Sequence, residues 1–183
     1  LEQLEGWDLI PTNMNLSGAE IELVSIENKE YILADALMEV ADRYDYVIMD
    51  CPPSLNMLTI NALAAADSML VPIQCEYYAL EGLSQLIHTV ELVRERMNEN
   101  LEIEGIVFTM YDVRTNLSME VVENVKENLD QRIFETIIPR NVRLAEAPSY
   151  GLPVILYDTR STGANSYRSL ADELIGREEK SWQ

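Results

Sequence analysis

Cysteine occurs twice and histidine once in 183 residues, at Cys51, Cys75 and His88. Small secreted domains build disulfide scaffolds from several bridges in a shorter chain, so two thiols exclude that class and a reducing cytoplasm is expected. Each cysteine lies in or just after an apolar run and reads as a small buried hydrophobe. A single imidazole cannot build a histidine metal site, and His88, beside Ile87 in a helical stretch, reads as structural or solvent-facing. Basic residues are scarce too: 13 Lys and Arg stand against 32 Asp and Glu, a net charge of −19. A surface that generally coats nucleic acid is thereby excluded, because it needs clustered cations. No apolar run approaches the roughly 18–20 residues of a membrane span. The chain opens on Leu1 without Met or secretory signal features, which suggests a fragment. Finally, none of the 7 glycines (6, 18, 82, 105, 151, 163, 176) is followed by lysine. The phosphate-cradling GxxxxGK(S/T) loop is therefore missing from this stretch.

What is present suits one soluble globular domain over 1–183: 48% of residues are hydrophobic and 25% charged. Charge is uneven along it. Five arginines (132, 140, 143, 160, 168) lie between 132 and 168 against Glu135, Glu146 and Asp158, a locally positive region on an acidic body.

Five short apolar runs stand out: WDLIP (7–11), YVIM (46–49), SMLVPI (68–73), GIVFTM (105–110) and PVILY (153–157). Several are continuous, the pattern of strands covered on both faces of a parallel sheet. Between them, residues 79–97 place Leu80, Leu83, Leu86, Ile87, Val90, Val93 and Met97 on one stripe, and 117–129 do so with Leu117, Val121, Val122, Val125 and Leu129. Residues 31–43, 56–66 and 164–176 read as further helices. Strands alternating with helices predict an α/β fold, a doubly wound, mostly parallel sheet with helices on both faces.

In such a sheet ligands gather at the carboxyl ends of the strands. Asp50, Gln74 to Tyr78, Tyr111 to Arg114 and the loop after Ile138 are then expected near one edge. YVIMD ends on a carboxylate and is followed by CPPS. Pro52 has no N–H for a ladder, and it restricts Cys51 before it to extended geometry. A carboxylate at a strand tip can hold hydrated Mg2+ beside a nucleotide; it also serves as a plain strand-end turn. Tyr77 and Tyr78 read equally as partner contacts and as packing, and Trp7 and Trp182 carry little.

Read together, LSGAEIELV (16–24), YDYVIMDCPPSLNMLTINAL (44–63), VPIQCEYYALEGLSQL (71–86), TMYDVRTNLSMEV (109–121) and IIPRNVRLAEAPSYGLPVILYD (137–158) resemble the ParA/Soj family of chromosome- and plasmid-partitioning ATPases. These are MinD-like P-loop NTPases of the SIMIBI type with a deviant Walker A loop. The resemblance covers essentially the whole chain. It implies ATP and Mg2+ as ligands, an ATP-dependent homodimer, nonspecific DNA binding, a ParB-type partner and a cytoplasmic, nucleoid-associated protein without a membrane role. Asp50 resembles the Walker B aspartate, acting on Mg2+ through water. The Walker A loop would lie upstream of Leu1, so this stretch by itself is expected to be inactive and to bind no nucleotide, and its sheet to expose unpaired backbone.

The same resemblance sets Pro139 and Pro148 at the adenine pocket, with Met110 and Tyr111 as further lining; a proline-stiffened surface loop and ordinary core packing are the plain alternatives. Arg114 and Arg143 resemble DNA-contacting arginines, with Arg140, Arg160 and Arg168 as helpers, and arginine's planar fork suits phosphate. A non-catalytic DNA- or partner-binding module on the same fold is the alternative function. A membrane-cycling relative would end in a basic amphipathic helix, whereas acids outnumber bases in ADELIGREEKSWQ.

Overall fold

A computed structural model of the protein describes residues 6–13, 15–52 and 54–181; Trp182 and Pro53 lie outside them. The chain falls into two compact units. One takes the chain up to Met69 together with Ile87–Glu102, the other Leu70–Leu86 together with the chain from Ile103 onward.

The sheet belongs mainly to the second unit. Strand β1 (Ser68–Gln74) pairs with β2 (Glu102–Thr109). The pairing is parallel: Glu102 N donates to Asp67 O at 3.0 Å at one end, and Cys75 N to Thr109 O at 3.3 Å at the other. Helix α4 (Ala79–Arg96) is the crossover between them, as a parallel pair requires. β1 buries alternate residues, Val71, Ile73 and then Cys75, while Pro72 is exposed. A residue without an N–H is tolerated there because β1 has a partner on one edge only among the described residues. β2 buries four consecutive residues, Gly105 to Phe108, the signature of a strand covered on both faces.

A third segment, which its sequence does not announce, lies on the other edge of β2. Ile106 N donates to Arg132 O and Phe134 N to Ile106 O, both at 2.8 Å, and Ile138 N donates to Phe108 O at 2.8 Å. The step from Ile106 to Phe108 is thus matched by the longer step from Phe134 to Ile138, so residues 135–137 bulge out and lose their ladder. Their orphaned donors are met from helix α8 (Thr162–Ser181): Glu173 accepts Glu135 N at 2.8 Å and Thr136 N at 2.9 Å. Burial pushes the Glu173 carboxyl up, but these two N–H groups and Arg177 outweigh it and hold it below the usual range. Arg177 lies over the Phe134 ring at 4.0 Å and donates to Ile133 O at 2.9 Å. The core of this unit is Val107, Phe134 and Ile138, packed with Leu70, Leu144, Leu170 and Leu174.

In the first unit, α1 (Leu16–Leu23), α2 (Ile32–Leu37) and α3 (Met57–Ala65) accompany two 3-10 turns, Lys29–Tyr31 and Ala41–Arg43. Asn56 caps α3 by accepting Thr59 N at 3.0 Å. Asn98 satisfies its far end, donating to Leu63 O and Ala66 O at 3.1 and 2.7 Å. Asn61, 4% exposed, donates to Lys29 O at 2.8 Å and accepts Leu33 N at 3.1 Å. A polar side chain is tolerated in this apolar helix because both ends of its amide are bonded.

Three of the five expected strands are corrected. WDLIP and YVIM form no ladder: Ile10 is 80% exposed and Ile48 88%. An apolar run becomes a strand only where another edge accepts its N–H and C=O groups, and neither run meets one among the described residues. PVILY is instead the single-turn helix α7 (Val154–Tyr157), begun by Pro153, whose carbonyl accepts Leu156 N and Tyr157 N at 2.9 and 3.0 Å. Helices expected at 56–66, 79–97, 117–129 and 164–176 are present as α3, α4, α5 (Asn116–Asn128) and α8; the one expected over 31–43 is broken into α2 and its flanking turns.

Candidate functional site

The carboxyl end of β2 is unusual. Met110, 41% exposed, has φ of 54°, in the left-handed region that non-glycine residues seldom enter. The turn throws the chain across to the third segment, where Tyr111 pairs in parallel with Pro139: Tyr111 N donates to Ile138 O at 3.2 Å, and Arg140 N to Tyr111 O at 2.9 Å. Met110, Tyr111, Pro139 and Arg140 are thereby brought to one place.

The loop that follows is fixed by its own side chains. Thr115 caps α5 (Ser118 N to Thr115 Oγ1, 3.4 Å), its hydroxyl donates to Asp112 O at 3.1 Å, and buried Ser118 accepts Asp112 N at 3.3 Å. Asp112 takes Arg114 side-on: Nε to Oδ1 at 2.8 Å, Nη2 to Oδ2 at 2.6 Å, and the Arg114 backbone N to Oδ1 at 3.0 Å. The Arg114 fork, then its backbone N–H, hold the Asp112 carboxyl far below its usual range, with Arg140 adding a smaller pull. Arg114 remains 80% exposed.

Arg143 lies at the start of α6 (Val142–Glu146), which Asn141 caps by accepting Arg143 N at 2.9 Å. Its guanidinium sits between two carboxylates, Nη1 at 2.8 Å from Glu146 Oε2 and Nε at 3.2 Å from Asp158 Oδ2. Tyr157 donates its hydroxyl to the same Glu146 oxygen at 3.2 Å and stacks on Tyr150 at 4.8 Å between ring centres. Pro148 is exposed in the 3-10 turn Ala147–Tyr150. Arg168 is taken up by Thr159, donating to its carbonyl at 2.8 Å and to its hydroxyl at 2.6 Å; Arg140 and Arg160 are exposed.

Asp50 belongs to the first unit. It is exposed, but not at the tip of a buried strand as expected, since Tyr46 to Cys51 carry no ladder. Beyond it the chain turns into α3, with Thr59 Oγ1 donating to Ser54 O at 2.7 Å. Cys51 is exposed, against the expectation of burial, whereas Cys75 is 5% exposed with its thiol pushed by burial up to about 11. His88 faces solvent near Glu91, as expected.

Comparison with known proteins decides the family. A family model described as an AAA domain matches residues 1–103. The chain is 54% identical over 176 residues to the chromosome partitioning protein ParA of Myxococcus xanthus, spanning 96% of this chain and 62% of that one. It is 56% identical over 171 residues to the sporulation initiation inhibitor protein Soj of Bacillus subtilis, spanning 93% and 68%. The chain belongs to the ParA/Soj family of chromosome-partitioning ATPases. Its fold is the α/β fold of P-loop NTPases. A Mycobacterium smegmatis structure described as cobyrinic acid a,c-diamide synthase with bound ATP analog and magnesium superposes with TM-score 0.78 at 36% identity, over 94% of this chain and 63% of that one. The apo McdA structure of Cyanthece matches at TM-score 0.74 and 22% identity, over 87% of this chain and 66% of that one, a likeness of fold alone.

Of the residues singled out in this ParA/Soj chain, the pairing of Tyr111 with Pro139 gathers four, and the next loop adds Arg114. The carboxylate partners Asp112, Glu146 and Asp158 were missed. Two of them had a local signal, an acid two residues before Arg114 and another three residues after Arg143 on a helix turn. Asp158 had none, because α7 intervenes.

Proposed function

We propose that this chain is the part of a partitioning ATPase that carries the Walker B carboxylate, the base-side apolar wall and the DNA-facing arginines of an ATP–Mg2+-dependent, nonspecific DNA-binding homodimer working with a ParB-type partner. The observation that carries the reading is the parallel pairing of Tyr111 with Pro139. It joins the apolar Met110, Tyr111 and Pro139 to loops bearing Arg114, Arg140 and Arg143 at the carboxyl ends of parallel strands, where α/β sheets receive ligands.

The donor set fits a magnesium ion that arrives with its nucleotide. Mg2+ is usually bound by one or two carboxylates together with phosphate oxygens and water. Asp50 is one exposed carboxylate, and among the described residues no group of three or more His, Cys, Asp or Glu could enclose a metal without a ligand's help. Bound there, Mg2+ would neutralise charge on the β- and γ-phosphates. Asp50 would orient its water shell, and Pro139 and Pro148 would offer rigid walls to a base without competing N–H donors.

Arginines on both protomers of such a dimer bind DNA together, so nucleotide-dependent dimerisation switches DNA affinity through avidity. The test is DNA binding by the full-length protein with ATP and Mg2+. Arg114→Ala and Arg143→Ala should weaken binding uniformly across sequences and flatten its salt dependence by about 0.9 per lost phosphate contact. Unchanged slopes in both remove these arginines from the footprint. A fluorescent ATP analogue with Mg2+ should bind the full-length protein and bind its Asp50→Asn variant more weakly; equal binding would remove Asp50 from the metal shell.

A further inference from the structure

Arg114 and Arg143 are held in different ways. Asp112 takes one lateral edge of Arg114, Nε and Nη2, and leaves Nη1 to solvent. Arg143 faces two carboxylates: Glu146 at Nη1 and Asp158 at Nε. One positive charge there faces two negative ones. Glu146 is itself fixed by the Tyr157 hydroxyl, and Tyr157 by its stack on Tyr150. A phosphate approaching this arginine meets a net charge of the wrong sign and a guanidinium with two of its three nitrogens, Nη1 and Nε, already facing carboxylates, and a bidentate phosphate contact must compete with them.

We infer that Glu146 and Asp158 form an autoinhibitory clamp on Arg143, so that DNA phosphate is accepted only when this arginine exchanges a carboxylate for it. The inference rests on the DNA-binding reading above and adds its regulation. Anything that draws Glu146 away, such as a shift of the Tyr150–Tyr157 stack, unmasks a phosphate contact without moving the backbone of α6. Arg114 faces a single carboxylate, Asp112, so its site is not net negative and needs no such release.

The experiment measures DNA affinity against salt for the full-length protein with ATP and Mg2+, comparing wild type with Glu146→Gln, Asp158→Asn, Arg143→Ala and the double variant Arg143→Ala/Glu146→Gln. Glu123→Gln, an exposed position on α5, controls for the loss of one negative charge anywhere. Glu146→Gln and Asp158→Asn should each tighten binding roughly two- to fivefold, the range of one partly exposed ion pair. The salt slope should steepen by up to about 0.9 as a phosphate contact is gained. The Glu146→Gln gain should vanish in the Arg143→Ala background and exceed that of Glu123→Gln. A gain that survives without Arg143, or only equals the control, overturns the clamp. If Arg143→Ala weakens binding but neither carboxylate variant tightens it, the clamp fails and the DNA face stands. No effect of Arg143→Ala overturns the clamp and removes Arg143 from the DNA face, while an effect of Arg114→Ala keeps that face standing.

Discussion

Asp112 grips Arg114 with both carboxylate oxygens, at 2.8 Å to Nε and 2.6 Å to Nη2, although the two residues are separated only by Val113. So short a loop is held by the Thr115 hydroxyl on Asp112 O and by Ser118 on Asp112 N. The grip lowers the Asp112 pKa in the folded state, and a depressed carboxyl contributes stability above its unfolded value, near 3.9, that is lost as pH falls through the folded value. A carboxyl 13C titration should therefore show Asp112 still ionised at pH 3. In Arg114→Ala its midpoint should return towards the usual range; a midpoint that does not move would assign the shift to the backbone N–H groups instead.

Glu173 is predicted to matter more for the fold than any residue of the site. Replacing it by Gln sets an amide donor against one of the two N–H donors of the bulge, Glu135 and Thr136. These hydrogen bonds are exposed or part-buried and such a bond contributes about 0.5–1.5 kcal/mol, so the denaturant midpoint of Glu173→Gln should fall accordingly with little change in m. The carboxyl is lowered in the fold, so this contribution is present above about pH 4.3 and disappears on acidification. The stability loss of the wild type between pH 5 and 3 should shrink in the variant.

Gly105 is buried on β2 because of what faces it. A Cβ there would lie 2.7 Å from Phe134 Cε2 and 3.2 Å from Arg177 Nη1. Phe134 is 2% exposed and fixed by Arg177 above it, so the ring has little room to retreat. Gly105→Ala should destabilise by about 1–3 kcal/mol, the usual effect of overpacking, read as a lower thermal midpoint. Gly82, with open space around its Cβ position, should accept Ala without loss.

The isolated 183-residue chain should associate in solution. Leu9, Ile10, Val47 and Ile48 are 58%, 80%, 43% and 88% exposed in runs that form no ladder among the described residues. Apolar segments exposed this widely attract other chains. Light scattering should give a mass above 20.9 kDa that rises with concentration; a monodisperse monomer across the micromolar range would contradict this.

Much of the candidate site was legible beforehand because it follows from strand ends. Once GIVFTM is read as a strand, Met110 to Arg114 must lie at its carboxyl end, and they do. What faces them was not legible. The ETIIP segment carries a charge, a β-branched run and a proline, a mixed pattern that matches neither a period of 2 nor one of 3.6. It is held in place because Ile133 before it and Pro139 at its end pair with Ile106 and Tyr111, and Glu173, 37 residues beyond Thr136, caps the bulge between them.

Local spacing alone determined α4, α5 and β2: an apolar stripe or a continuous run of the right length has one way of burying itself. WDLIP, YVIM and PVILY have strand-like composition as well, yet none of them is a strand. A helix closes its hydrogen bonds within itself, whereas a strand needs a distant neighbour to close them, and whether that neighbour is there is decided only when the chain folds.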